Sequence, residues 1–252
     1  LDQRLAAEDV LLRTVAEEQG LRFVTLRDTA IDEGAVRSLS PKFVAHYGIM
    51  PVKLADGVLT IASADPFDPA ATEDIETNLG HRVETVVASR ADIRQAIERY
   101  YGIGADTVER ILAGLPAEDR GAPAEAPEEA QDLERMAEDA SVVRLVNQIV
   151  HQAISDRATD IHFEAGRGAV AVRRRIDGIL YDTPVPHSIS VLYPAIVSRI
   201  KLMANLNIVE RRLPQDGRAR VRVGRQDYDL RVSIVPALHG EDIVIRVLPT
   251  SM

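Results

Sequence analysis

Apolar residues in the second half of the chain recur with two different periods. Val142, Leu145, Val146, Ile149, Val150 and Ile154 fall three or four apart, which predicts an amphipathic helix capped by Ser141. Beyond it, Val170 and Val172 alternate with polar neighbours up to Ile176, and Asp177-Gly178 turns the chain back through Ile179-Leu180-Tyr181. A helix is expected over Tyr193 to Leu206, with Pro194 confined to its first turn. Alternation returns in Ala219, Val221 and Val223, then in Tyr228, Leu230, Val232 and Ile234, joined by Gly224-Arg225-Gln226. Ile243, Ile245 and Val247 make a last strand.

The first half carries shorter signals. Val10, Leu11, Val15 and Leu21 predict a helix stopped at Gly20, and Phe23 to Leu26 reads as a strand. Ser40-Pro41 opens a helix with Ser as cap and Pro at its first position. Val52 to Leu54 and Val58 to Ala62 form a hairpin through Asp56-Gly57. Asp68-Pro69 starts a helix that Gly80 ends, Val83 to Val87 is a strand, and Ala91 to Tyr101 is a helix. Between the halves, residues 113–140 combine Gly114, Pro116, Gly121, Pro123 and Pro127 with a run of acids. Little there can be buried, so ordering it costs chain entropy with no return. The pattern predicts an α+β protein: a mixed module over 1–112, an acidic flexible linker over 113–140, and a second module over 141–252 built as an antiparallel sheet with helices.

Composition sharpens this division. The chain has 252 residues, no Cys and a net charge of −9. Residues 1–140 hold 14 basic against 28 acidic residues, a balance of −14, whereas 141–252 stand at +5. The basic half suits an anionic partner and the acidic half does not. Without Cys there is no disulfide framework and no thiolate metal site. No apolar stretch is long enough to span a bilayer, and a chain starting at Leu1 reads as a fragment of a longer protein. The acidic total and an aromatic content of 4% argue against nucleic acid.

Three constellations could carry chemistry. Seven Arg lie between Arg211 and Arg231 against three acids, and strand period puts Arg218, Arg220 and Arg222 on one face. The planar guanidinium fork suits phosphate, but the stripe equally fits a solvated strand paired to Asp227 and Asp229. Thr159-Asp160-Ile161-His162 could form an acid–base pair or a structural one. His239-Gly240-Glu241 reads as a turn whose charges face solvent. No phosphate loop of the form GxxxxGK[ST] occurs, so these residues alone are expected to hydrolyse no ATP.

Four blocks then carry a family resemblance: SVVRLVNQIVHQAISDRATDIHFE, VRRRIDGIL, SRIKLMANLNIVERRLPQDGRARVRV and DLRVSIVPALHGEDIVIRVL. In this order they resemble the GspE/PilB secretion ATPases, where they form the N-terminal lobe of the ATPase unit. The stretch from Ser40 to Gly102 resembles the N-terminal domain shared by type II secretion and some pilus ATPases. The resemblance implies the N-terminal part of a hexameric ATPase, with ATP and Mg²⁺ in the full-length protein and no cofactor in this fragment. It implies docking on the cytoplasmic domain of an inner-membrane platform protein such as GspL, hence a cytoplasmic, peripheral location. Type II secretion is the first reading, and type IV pilus assembly or cyclic dinucleotide binding the alternative. MshE-like relatives bind cyclic di-GMP through RLG-type repeats, and no such repeat appears here. Carried over motif by motif, Arg199, Arg212, Arg218 and Arg231 are expected to face nucleotide phosphates in the full motor. Tyr181 stands where many relatives have an Arg after the Asp-Gly turn.

Overall fold

The computed structural model describes residues 2–114, 135 and 137–250. Most of the acidic stretch 113–140 lies outside them; of its described residues, Ala137 is fully buried. The chain divides into two compact units, 1–101 and 102–252.

The first unit begins with helix α1 (Asp2–Glu18), which Gly20 follows in a left-handed conformation. The segment Phe23 to Leu26 forms no strand beyond one parallel bridge from Phe23 to Val87. Its backbone turns away instead, with the Leu26 amide donating to the Asp92 carboxylate. Helix α2 (Glu33–Ser38) follows, then α3 (Pro41–Tyr47), whose Ser40 hydroxyl accepts from the Phe43 amide. Strands β1 (Ile49–Ala55) and β2 (Val58–Ser63) make the expected hairpin. Asp56 and Gly57 both take positive φ there, as a tight primed turn requires. Helix α4 (Ala70–Leu79) crosses to β3 (Arg82–Val87), parallel to β2, and α5 (Arg90–Tyr101) closes the unit. Apolar clusters around Met50, Val86 and Ile93 and around Val44, Leu59 and Ile75 form the unit's core.

The second unit starts with α6 (Ala105–Gly114), which sequence pattern assigns to the first module. Ile103 and Val108 belong to the large core of the second unit, beside Leu145 and Ile149. The Ile103 amide also donates to the Pro184 carbonyl at 2.8 Å. Helix α7 (Ala140–Ser155) shows the predicted apolar stripe. Its cap is Asp139, not Ser141: the Asp139 carboxylate accepts from the Ser141 and Val142 amides at 2.8 and 3.3 Å. Strands β4 (Asp160–Gly166), β5 (Ala169–Ile176) and β6 (Ile179–Thr183) form a meander. Helix α8 (Ile189–Met203) starts earlier than Tyr193, so Pro194 lies inside it. The turn ahead of it is wound by three-residue bonds from the amides of Ile189, Ser190 and Val191. Strands β7 (Gln215–Val223), β8 (Gln226–Ala237) and β9 (Gly240–Pro249) complete an antiparallel six-stranded sheet of order β6-β5-β4-β9-β8-β7. One face of it packs Ile161, Leu230, Val232 and Ile245 against Leu192, Ile196 and Ile200 of α8.

Candidate anion-binding face

Antiparallel register decides which side chains share the sheet face turned away from α8. Arg218 of β7 lies directly opposite Arg231 of β8, and Arg231 directly opposite Arg246 of β9. Arg246 pairs in turn with Asp160 of β4, and Asp160 with Arg175 of β5. Directly opposed residues point to the same side, and their alternating neighbours fill the core. One row across five strands therefore reads Arg, Arg, Arg, Asp, Arg on the open face.

The charges along this row are unevenly matched. Asp160 is buried; its Oδ1 lies 3.1 Å from Arg246 Nε and its Oδ2 3.5 Å from Arg175 Nε. The Thr159 hydroxyl donates to it at 2.8 Å. Burial alone pushes this carboxyl up, but the Thr159 hydroxyl and the two guanidinia outweigh it and hold it below the usual Asp value. Asp160 is thus an anchor for arginines and not a partner of His162. Lower on the hairpin, Arg220 pairs with Asp229 at 3.1 Å and Arg222 with Asp227 at 2.5 Å. The solvated-strand reading describes these two arginines. Arg218 differs, because it faces Arg231, and among the described residues neither side chain has a hydrogen-bond or ion-pair partner. Like charges placed directly opposite destabilise a sheet, so this pair is a local cost. An open concavity of about 520 Å³ surrounds the pair, lined also by Asp216, Ser233, Val244 and Arg246.

The other two expected arginines lie elsewhere. Arg199 is half-buried on α8, in the helical layer, with its Nε lacking a partner. Arg212 is exposed in the loop before β7, beside the Glu210 carboxylate at 3.6 Å. Neither lines the concavity around Arg218 and Arg231. Tyr181 is exposed on β6 and pairs in register with Arg174.

Two features escape sequence pattern. Arg246 stands between Ile245 and Val247, where alternation alone marks it as outward, but only the β8–β9 register brings it beside Arg231. Glu241, expected in solvent, is buried at the start of β9, where it meets the fully buried Lys201 of α8 at 2.6 Å. A Lys among Ile196, Val197 and Ile200 was the available signal. Its ammonium also donates to the Glu210 carbonyl at 2.6 Å, tying down the loop that carries Arg211 and Arg212. Gln215 reinforces that loop through the carbonyls of Asn207 and Glu210.

Residues 135–252 match the family described as type II/IV secretion system protein, and residues 19–107 match the MshEN domain. The chain belongs to the type II/IV secretion system protein family. This secretion-family chain is 39% identical over 246 residues to the type IV pilus assembly ATPase PilB of Myxococcus xanthus, covering 97% of itself and 43% of that protein. It is also 39% identical over 248 residues to the type II secretion system protein E of Xanthomonas campestris, covering 97% of itself and 42% of that protein. Among solved structures, it is similar to the N-terminal domain of XpsE, with 32% identity, a TM-score of 0.33, and coverage of 39% of this chain and 71% of that one. The family chain thus spans less than half the length of these curated relatives.

Proposed function

We propose that this chain is the N-terminal docking and regulatory part of a hexameric ATPase that powers type II protein secretion. In this reading the second unit delivers arginines to nucleotide phosphates bound by the rest of the motor. The observation that carries it is the facing pair Arg218 and Arg231, exposed at the rim of an open concavity and, among the described residues, without an ion-pair partner. Positive charge held ready in this way stabilises charge on phosphoryl oxygens without reorganising at the moment of transfer. ATP with Mg²⁺ is the proposed cofactor of the full-length protein; Arg199 and Arg212 stay in the proposed set as contributors from the helical layer and the loop.

The first unit is the proposed dock for a cytoplasmic domain of an inner-membrane platform protein, GspL-like in kind. Among the described residues no helix is long and apolar enough to cross a membrane. The acidic balance of 1–140 disfavours direct attraction to anionic lipid, so peripheral attachment at the cytoplasmic side runs through that partner. Type IV pilus assembly is the second reading, supported by the equal identity of the Myxococcus relative.

In the full-length protein, Arg218→Ala with Arg231→Ala should lower ATP turnover about a hundredfold or more, with subunit assembly unchanged and the melting temperature not lowered, since the variant relieves a like-charge pair. Wild-type turnover in that folded variant overturns the reading. Deleting the gene separates the two systems: loss of exported enzymes marks secretion, and loss of surface pili marks assembly.

A further inference from the structure

Two hairpin turns and a loop converge on helix α8 and enclose a cavity of about 390 Å³. Pockets that hold small ligands span about 300–1,000 Å³. The turns are β4–β5, with Arg167, and β8–β9, with His239; the loop carries Ile208 and Arg211. No arginine of the sheet row lines this cavity. Three bonds hold its walls in place. The Tyr193 hydroxyl donates to the Glu241 carbonyl at 2.7 Å, the Ala165 amide to the Asp242 carboxylate at 2.8 Å, and the Lys201 ammonium to the Glu210 carbonyl at 2.6 Å. The lining has two chemically distinct parts. Val170, Pro194, Val197 and Ile208 give an apolar wall. Arg167, Arg211 and His239 give nitrogen donors, against one carboxylate, Glu241, which Lys201 already pairs at 2.6 Å. Ser198 supplies an independent sign of a ligand. It is 4% exposed, it lines the cavity, and among the described residues its hydroxyl has no hydrogen-bond partner. The large majority of buried hydroxyls are bonded, so the cavity is where its partner belongs.

We propose that this cavity binds a monocarboxylate carried on a short aliphatic stem. The carboxylate is taken by the basic side and the Ser198 hydroxyl, and the stem lies against the apolar wall. Arginine's planar fork matches a carboxylate in two parallel hydrogen bonds. A single water would satisfy Ser198 but leave the apolar wall wet. Phosphate fits less well: it has no use for that wall, and its second charge would lie beside the buried Glu241 carboxylate. The same chemistry comes from two sources, a free short-chain acid or the C-terminus of a polypeptide ending in an aliphatic residue. The site does not rest on the anion reading of Arg218 and Arg231.

The test is an amide NMR titration of the 252-residue protein with hexanoate, and separately with hexanol, acetate and orthophosphate. Hexanoate should shift the amide resonances of Gly168, Ser198 and Gly240. It should bind at least about tenfold more tightly than acetate, which lacks the stem, and than hexanol, which lacks the charge. Arg211→Gln should weaken hexanoate binding about tenfold, and Ser198→Ala about fivefold without lowering the melting temperature. If Arg211→Gln disturbs the fold, Arg167→Gln, at an exposed hairpin tip, takes its place. Arg218→Ala with Arg231→Ala should bind hexanoate as the wild type does. Acetylglycyl-norleucine, which carries the same stem and carboxylate on a peptide, separates the sources. Tighter binding than hexanoate supports the site as a seat for a polypeptide C-terminus, and weaker binding supports it as a seat for a free acid. No saturable shift with hexanoate, equal affinity for orthophosphate, or wild-type affinity in both Ser198→Ala and the arginine variant overturns the inference. Loss of binding in the Arg218/Arg231 variant places the acid on the open face and overturns it as well.

Discussion

Lys201 and Glu241 are the most costly residues of the second unit to separate. Lys201 is fully buried and Glu241 is 8% exposed, so each charge depends on the other. Removing one partner of such a pair leaves an unpaired buried charge, whereas removing both restores an apolar contact. Lys201→Met should therefore destabilise the protein by about 3–5 kcal/mol in chemical denaturation. Lys201→Met with Glu241→Leu should recover a large part of that loss, and an equal or greater loss in the double variant would contradict the pairing. Asp160 gives a second residue-scale expectation, this one in pH. Its folded carboxyl titrates below its ordinary value, so the folded state binds the proton less readily than the unfolded chain. Its contribution is therefore complete above the unfolded value of about 3.9 and lost as pH falls through the lower folded one. The stability gap between wild type and Asp160→Asn should hold steady from neutral pH to about pH 5 and close below pH 4. A gap that widens on acidification would refute the assignment. Neither residue could be placed from sequence, because Lys201 and Asp160 find their partners across 40 and 86 positions.

Elements were far more legible than their partners. Alternation located β7, β8 and β9, and the pairs Asp56-Gly57 and Asp177-Gly178 marked two turns whose residues all take positive φ. Where the reading slipped, the cause was a nearby competing group. Asp139 outcompetes Ser141 as cap because it sits one residue before the helix and reaches two amides. Pro194 suggested a late start to α8, but three-residue bonds wind the turn that precedes it. Gly217 shows a different kind of constraint. Its φ is ordinary, yet a Cβ there would stand 2.5 Å from the Ala204 carbonyl and 2.8 Å from Leu206 Cδ2. Glycine is needed at the start of β7 for space, to let the end of α8 press on that strand. Gly217→Ala should cost about 1–3 kcal/mol and speed amide exchange at the α8 end and the first half of β7. Wild-type stability in that variant would show that the two backbones part without penalty. Arg218, Arg231 and Arg246 are aligned by the registers of three paired strands, which spacing along the chain does not give, so the arginine row was only half visible in the sequence.

At the scale of the whole chain, α6 decides where the second unit begins. Composition alone ends the first module near Leu112, where the acidic stretch starts. The packing says otherwise: Ile103 is 5% exposed and Val108 fully buried, both within the core that holds Leu145, Val146 and Ile149. Gly104 takes positive φ and lies so close to Leu145 that a Cβ there would fall 2.4 Å from its Cδ1. A fragment cut at the compositional boundary would leave α6 on the wrong piece. Residues 113–252 would then expose the apolar pocket that Ile103 and Val108 fill, while residues 1–112 would carry a helix with its apolar side uncovered. Burying two aliphatic side chains is worth about 3–6 kcal/mol, a large share of the stability of a single domain. The expected outcome is that residues 102–252 unfold in one cooperative transition, and that residues 113–252 are less stable by about that amount or fail to fold. Residues 1–101 should be as stable as residues 1–112 and less prone to self-associate, because the shorter piece sheds an uncovered apolar helix. Equal denaturation midpoints for 102–252 and 113–252 would return α6 to the first module and restore the boundary that composition suggests.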